Sequence, residues 1–178
     1  MRRRLPTAVL MLLLALLAGA LTACGSEEET SVIEGEPLEL DGLLYNVQLT
    51  RFLNPADVED EAYLVGQDPP PKGKQYLGVF MQIKNEGDDP AVPSAQFEIR
   101  DTRDTTYEPL DTDSEFALDL ATPIDPDQST PVPDSPAASG PIKGGMILFL
   151  IGESSIENRP LELEVHVGAD SGEVELDI

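Results

Sequence analysis

Nucleophilic catalysis needs a nucleophile, a base and an orienting group within hydrogen-bond reach, and this chain is short of bases. Its 178 residues include one histidine, His166, and one cysteine, Cys24. His166 falls on the polar side of an alternating segment, two residues from Glu164, where a histidine faces solvent. No Gly-x-Ser-x-Gly elbow and no Ser-x-x-Lys pair occurs. One histidine and one cysteine cannot close a zinc or copper site of nitrogen and sulfur ligands. Carboxylates are abundant instead, 34 Asp and Glu against 11 Lys and Arg. Glycoside hydrolysis needs two of them at a set separation across a cleft. Nothing in the spacing sets such a pair, and aromatic residues make up 5% of the chain, with no tryptophan to stack on a sugar. Calcium is the one metal this composition could serve. Asp101, Asp104, Asp111, Asp113 and Glu115 lie in a short span, and Asp111-Thr112-Asp113-Ser114-Glu115 imitates the alternating ligands of an EF-hand loop. Phe116 stands where that loop requires glycine, and Thr122 stands where it requires a bidentate glutamate. These five are therefore weak metal candidates, and Asp125 with Asp127 is a weaker pair. The reading is of a non-enzymatic chain with no cofactor.

Cys24 has a different setting. Arg2, Arg3 and Arg4 precede an apolar run over residues 5–20, and small residues lead from there to Cys24. This is the layout of a secretion signal: basic, then apolar, then small. A retained membrane helix would need roughly 17–25 apolar residues, and the run is near that lower limit. Glu27, Glu28 and Glu29 follow it rather than a basic stop-transfer cluster. The ending Leu21-Thr22-Ala23-Cys24 resembles the lipobox of bacterial lipoproteins. The resemblance implies that Leu21, Thr22 and Ala23 are read by a signal peptidase that cuts before Cys24. It also implies a diacylglyceryl thioether on the Cys24 sulfur and an acyl group on the new amino terminus. Two or three chains hold a protein stably on a bilayer where one chain does not. The implied place is the cell envelope, on the outer face of the cytoplasmic membrane, or the outer membrane of a two-membrane envelope.

Without residues 1–23, which carry three of the basic and none of the acidic side chains, 155 residues remain with a net charge of −26. That is one ordinary domain with room for a core. The charge argues against nucleic acid and against adsorption on anionic lipid, which leaves the lipid on Cys24 as the membrane contact and another envelope protein as the expected partner. With Cys24 lipidated, no disulfide can form within the domain.

The elements that must position any site read as short strands. Residues 24–35 are the lipidated cysteine and a small, acidic, aperiodic stretch, a flexible tether of about 3.3–3.6 Å per residue. The domain then spans residues 36–178. Pro37–Leu40 and Leu43–Leu53 flank Asp41-Gly42, a tight-turn dipeptide, and Leu43, Tyr45, Val47 and Leu49 are expected on one strand face. Residues 55–63 suit one or two helical turns, with Asn54 as cap and Pro55 at the first position. Residues 75–85 alternate clearly: Leu77, Val79, Met81 and Ile83 against Tyr76, Phe80, Gln82 and Lys84. Further strands are expected at Phe97 and Ile99, over residues 105–110, and over 142–151, whose apolar stretch 146–151 suits burial on both faces. Residues 114–120 fit either a strand or a helical turn. Residues 161–167 alternate apolar with polar, and residues 174–178 supply the last strand. The proline-rich loop 121–141, with six prolines, reads as an extended, mobile excursion. Seven to nine short strands define an all-β chain, an antiparallel immunoglobulin-like β-sandwich.

Several of these segments resemble domain-of-unknown-function family 4352, immunoglobulin-like domains common on bacterial lipoproteins. The resemblance rests on Gly35-Glu36-Pro37 before Leu43-Leu44-Tyr45-Asn46-Val47, and on the strand from Lys74 to Lys84 closing in Asn85-Glu86-Gly87. It extends to the segment from Phe97-Glu98-Ile99-Arg100-Asp101 to Tyr107 and to Gly144-Gly145-Met146-Ile147-Leu148-Phe149. Asp104-Thr105-Thr106-Tyr107 departs from it by lacking a glycine before the tyrosine. The family carries no established catalytic residues, so none transfer here. The anchor, tether and sandwich, together with the missing catalytic sets, point to a non-catalytic protein-interaction module of the envelope. The alternative expectation is a solute- or calcium-binding lipoprotein with a pocket near Tyr63, Tyr76 or Phe116, under the loops 54–74 and 121–141.

Overall fold

The computed structural model describes residues 30–178. The signal segment, Leu21, Thr22, Ala23, Cys24 and residues 25–29 of the acidic stretch lie outside the described residues. Ten strands and two four-residue helices follow: β1 (Thr30–Ile33), β2 (Pro37–Leu40), β3 (Leu43–Leu53), β4 (Lys74–Asn85), β5 (Gln96–Arg100), β6 (Thr106–Tyr107), β7 (Ser129–Thr130), α1 (Pro136–Ser139), β8 (Gly145–Gly152), α2 (Glu153–Ile156), β9 (Leu161–Val167) and β10 (Asp170–Leu176). They form two five-stranded sheets, an immunoglobulin-like β-sandwich as the spacing of the strands foretells. The first sheet has the order β1-β10-β9-β5-β6. The second runs β2-β3-β4, and the far edge of β4 is divided between β8, along residues 74–81, and β7, at residues 83 and 84. Every pairing between these strands is antiparallel except that of β1 with β10.

The hairpin of β2 and β3 turns on Asp41 and Gly42, both at positive φ (48° and 77°), the two-residue turn whose twist suits right-twisted strands. The inner faces of the sheets meet in the main core, which includes Leu38, Tyr45, Val79, Met81, Ile99, Phe149, Leu163 and Val165. Burying each side chain of this size contributes about 1.5–3 kcal/mol.

Four expectations are corrected. First, Leu49 does not share a face with Leu43, Tyr45 and Val47. A β-bulge between Val47 and Leu49 puts one extra residue, Gln48, into β3, so Leu49 pairs with outward-facing Phe80 and is 38% exposed. An inserted residue inverts the alternation beyond it, and Thr50 turns inward in place of Leu49. Second, residues 30–33 are a strand rather than tether. β1 is registered residue by residue against residues 172–175, and Val32 packs on the main core. Third, residues 55–63 are not helical. Asn54 does cap, its Oδ1 accepting the Ala56 N–H at 3.0 Å, but the chain continues as separate three-residue turns fixed by Asp60. The buried Asp60 carboxylate accepts the Asn54 N–H at 2.8 Å and pairs with Arg51.

Fourth, the loop 121–141 is docked rather than loose. Ala91 and Ile124 exchange two main-chain hydrogen bonds, β7 pairs with β4, and Ile124, Pro131 and Ala137 are buried. Asn85 organises this corner. Its Nδ2 donates to the carbonyls of Asp89 and Ile124, both at 2.8 Å, and its Oδ1 accepts the Gly87 N–H at 2.8 Å. The docked loops give the sandwich a third layer. Tyr63, Leu64, Phe116 and Ile142 cover Tyr76 and Phe80 of β4 and Met146 and Leu148 of β8 on the outside of the second sheet. β8 is thereby buried on both faces, as its continuous apolar run requires.

Candidate functional site

A groove opens where β5 of one sheet comes near β8 of the other. Ser94 sets the start of β5. Its N–H donates to Tyr45 Oη at 3.0 Å, its hydroxyl donates to the His166 carbonyl, and its Oγ accepts the Gln96 N–H at 3.0 Å. Burial pushes the Tyr45 phenol above its ordinary pKa, against the opposing pull of the Ser94 N–H, so it stays neutral in the core. From Gln96 onward β5 pairs with β9 along one edge, whereas β6 covers only Ile99 and Arg100 on the other. In an antiparallel strand successive residues point their main-chain groups to opposite edges. The Asp101 N–H points to Thr105 O on the β6 side (3.1 Å), so Ile99 and Phe97 face that side as well.

The register that pairs Ile99 with Tyr107 would place Pro109 opposite Phe97. Proline has no N–H to donate, so the ladder stops there. The chain crosses instead to β8, where the Leu110 N–H donates to Leu148 O at 2.7 Å. It continues along β8, Phe116 O accepting the Met146 N–H (2.7 Å) and the Leu118 N–H donating to Met146 O (2.9 Å). Gly145 permits this approach, since a Cβ there would lie 2.5 Å from Leu118 Cδ1.

Between the uncovered edge of β5 and the segment 108–120 remains a groove of about 660 Å³. Phe97 and Ile147 reach it from the core, Leu110, Leu118 and Leu120 form its apolar wall, and Glu98, Glu108, Asp111 and His166 stand at its rim. No lysine or arginine lines it.

The sequence candidates are scattered by the fold. Asp101 is buried and fully engaged: its Oδ1 accepts the N–H groups of Arg103 (2.8 Å) and Thr105 (2.9 Å), and its Oδ2 accepts the Ser155 hydroxyl at 2.6 Å. Tyr107 Oη lies 2.7 Å from Ser155 Oγ and completes the chain of hydroxyls. Burial works to raise the Asp101 pKa, and these donors outweigh it and hold the carboxyl below its ordinary value. The arrangement joins β5 to α2 and includes no histidine. Asp104 sits exposed at positive φ, Asp111 belongs to the groove rim, and Asp113 and Glu115 are exposed. Among the described residues no three acidic, histidine or cysteine side chains are placed to share a metal ion. The loop that carries Asp111, Asp113 and Glu115 is tied to β8 only at Leu110 and at Phe116 and Leu118, with Ser114 between them turned in to the Ala62 carbonyl. Tyr63, Tyr76 and Phe116 line no solute pocket in this groove. They pack in the outer core, with Tyr63 and Phe80 edge to face at 5.4 Å.

His166 is on the wet face of the first sheet, its Nε2 3.3 Å from Glu164. Beside it Arg100 faces Glu162 (3.4 Å), Glu164 (2.5 Å) and Glu173 (2.6 Å). The groove itself was missed at the sequence level, although Pro109, two residues beyond a β-compatible Tyr107, is a legible stop signal. Among the described residues no helix is long and apolar enough to cross a membrane.

No protein-family model and no curated protein matches the chain. Solved structures do. The secreted protein MPT63 of Mycobacterium tuberculosis superposes with a TM-score of 0.57 at 14% identity, covering 84% of this chain and 99% of that one. The yjhA protein of Bacillus subtilis gives 0.53 at 12% identity, covering 82% and 99%. An uncharacterised β-sandwich protein of Clostridium difficile gives 0.51 at 16%, covering 85% and 96%. At these identities the likeness is one of fold: this chain is a β-sandwich similar to those three across most of its length.

Proposed function

We propose that this protein is a non-catalytic, lipid-anchored module of the cell envelope that acts by binding a partner protein outside the cytoplasm. The observation that carries the binding role is the groove beside β5, where an uncovered strand edge meets an apolar wall. The anchor rests on the signal layout and on Leu21-Thr22-Ala23-Cys24, in line with the resemblance to family 4352, and one sandwich of the same fold is a secreted protein. The non-catalytic reading rests on chemistry: a single histidine, partly exposed beside Glu164, and a serine-aspartate contact at Ser155 with no histidine beside it.

Two experiments test this. Photo-cross-linking side chains placed at Thr112 in the groove and at exposed Val58 and Val132 should capture a discrete partner protein in intact cells. A clean null from all three positions under several growth conditions removes the binding role. Cys24→Ser should leave uncleaved precursor or protein without lipid; a variant that matures and partitions into detergent as before removes the anchor.

A further inference from the structure

We propose that the groove takes an extended, basic segment of the partner protein, added as a strand to the uncovered edge of β5 beside Phe97. This rests on the binding role above and names its site and the chemistry of the partner. The β5 wall presents the N–H and C=O of Phe97, which no strand pairs among the described residues; a strand laid alongside meets both. Pro109 keeps this position open, since it offers no N–H to the Phe97 carbonyl and the chain leaves the β5 edge there for β8. The opposite wall, Leu110, Leu118 and Leu120, is apolar, and in an extended segment every second side chain faces it. The incoming strand therefore carries apolar residues at alternate positions.

The residues between them meet acid. Glu98, Glu108 and Asp111 stand at the rim with no lysine or arginine among the lining residues, and none of the three takes part in an ion pair of the described residues. Glu98 lies directly opposite Glu164, and the nearby cation, Arg100, is already shared among Glu162, Glu164 and Glu173. Lysine or arginine on the incoming strand supplies the missing positive charge, and the net charge of −26 left without residues 1–23 steers it in. The occupant is thus an alternating apolar and basic strand, not a neutral solute.

The test titrates the whole protein in neutral detergent with a nine-residue peptide of alternating lysine and valine. Two controls replace lysine by glutamate, or methylate alternate amide nitrogens. The lysine-valine peptide should bind and slow exchange of the Phe97 amide at least tenfold, with affinity falling as salt rises. Both controls should bind at least tenfold more weakly. The combined variant Glu98→Gln, Glu108→Gln, Asp111→Asn should lose at least tenfold in affinity while its melting temperature stays within a few degrees. No binding at millimolar peptide, equal binding of the methylated peptide, or an unmoved Phe97 amide at saturation overturns the proposal. If that happens while Val58 or Val132 still captures a partner in cells, the groove is wrong and the binding role stands. If all three cross-linking positions are silent, the binding role itself falls.

Discussion

The outer faces of the two sheets are built on the same pleat and have opposite fates. On the first sheet, Glu98, Glu164 and Glu173 line up across β5, β9 and β10, with Glu162 opposite Glu175 in the neighbouring row. Like charges directly opposite one another repel, and Arg100 is the cation set among them. On the second sheet the corresponding positions are Tyr76, Phe80, Met146 and Leu148, closed over by Tyr63, Phe116 and Ile142. One face stays wet because its side chains gain nothing from leaving water. The other recruited two long loops because leaving it bare would expose a large apolar patch. The domain therefore needs its loops for stability on one side and keeps a solvated acidic surface on the other.

The sharpest way to break this contrast is Phe80→Ala. Phe80 is fully buried beneath Tyr63, and its loss should cost about 3–5 kcal/mol in denaturant unfolding, as in a central core. A cost below about 1 kcal/mol would mean that the loops merely rest on the sheet. Next comes the stitch between the sheets. Asp101→Ala strips the Ser155 hydroxyl and two N–H groups of their acceptor and should cost about 2–3 kcal/mol. Because the folded protein holds the Asp101 carboxyl below the ordinary value of 3.8, its contribution is complete above that value. It is lost as the pH falls through the lower, folded value, so the variant should unfold with a flatter acid limb than the parent.

Smaller effects belong to the wet face. Arg100→Met leaves Glu162, Glu164 and Glu173 facing one another and should cost about 1 kcal/mol at low ionic strength. Most of that cost should vanish in molar salt, and a salt-independent loss would show that Arg100 acts through packing instead. The smallest expected effect concerns calcium. Millimolar calcium, or a chelator, should shift the melting midpoint by less than about 1 °C, since Asp101, Asp104, Asp111, Asp113 and Glu115 share no common centre.

The two faces also differ in how legible they were. The wet face is written in β9 alone: Leu161, Leu163 and Val165 alternate with Glu162, Glu164 and His166, and a period of two needs no knowledge of the partner strand. The covered face depends on where distant segments land. The continuous apolar run of β8 announces burial on both sides, but nothing local says that Tyr63 and Phe116, far apart in sequence, supply the cover. The bulge at Gln48 was hidden for a similar reason, since β3 remains apolar at Leu49 whichever way that side chain points. Asp101 looked like a metal ligand among its acidic neighbours because its real partner, Ser155, lies 54 positions away. Prolines were overread as signs of looseness in residues 121–141, where Pro131 is buried, and underread at Pro109, where one missing N–H opens the groove.

The parallel pairing of β1 with β10 governs how the domain bears a pull. Tension applied on the amino-terminal side of Thr30, along the strand, meets four registered pairs together, in shear, rather than one pair after another as in unzipping. Just past these pairs the Glu34 carboxylate accepts the Thr50 N–H of the second sheet at 3.0 Å and the Asp177 N–H beyond β10 at 3.1 Å. Load arriving at that end is thus divided between both sheets before any strand can peel.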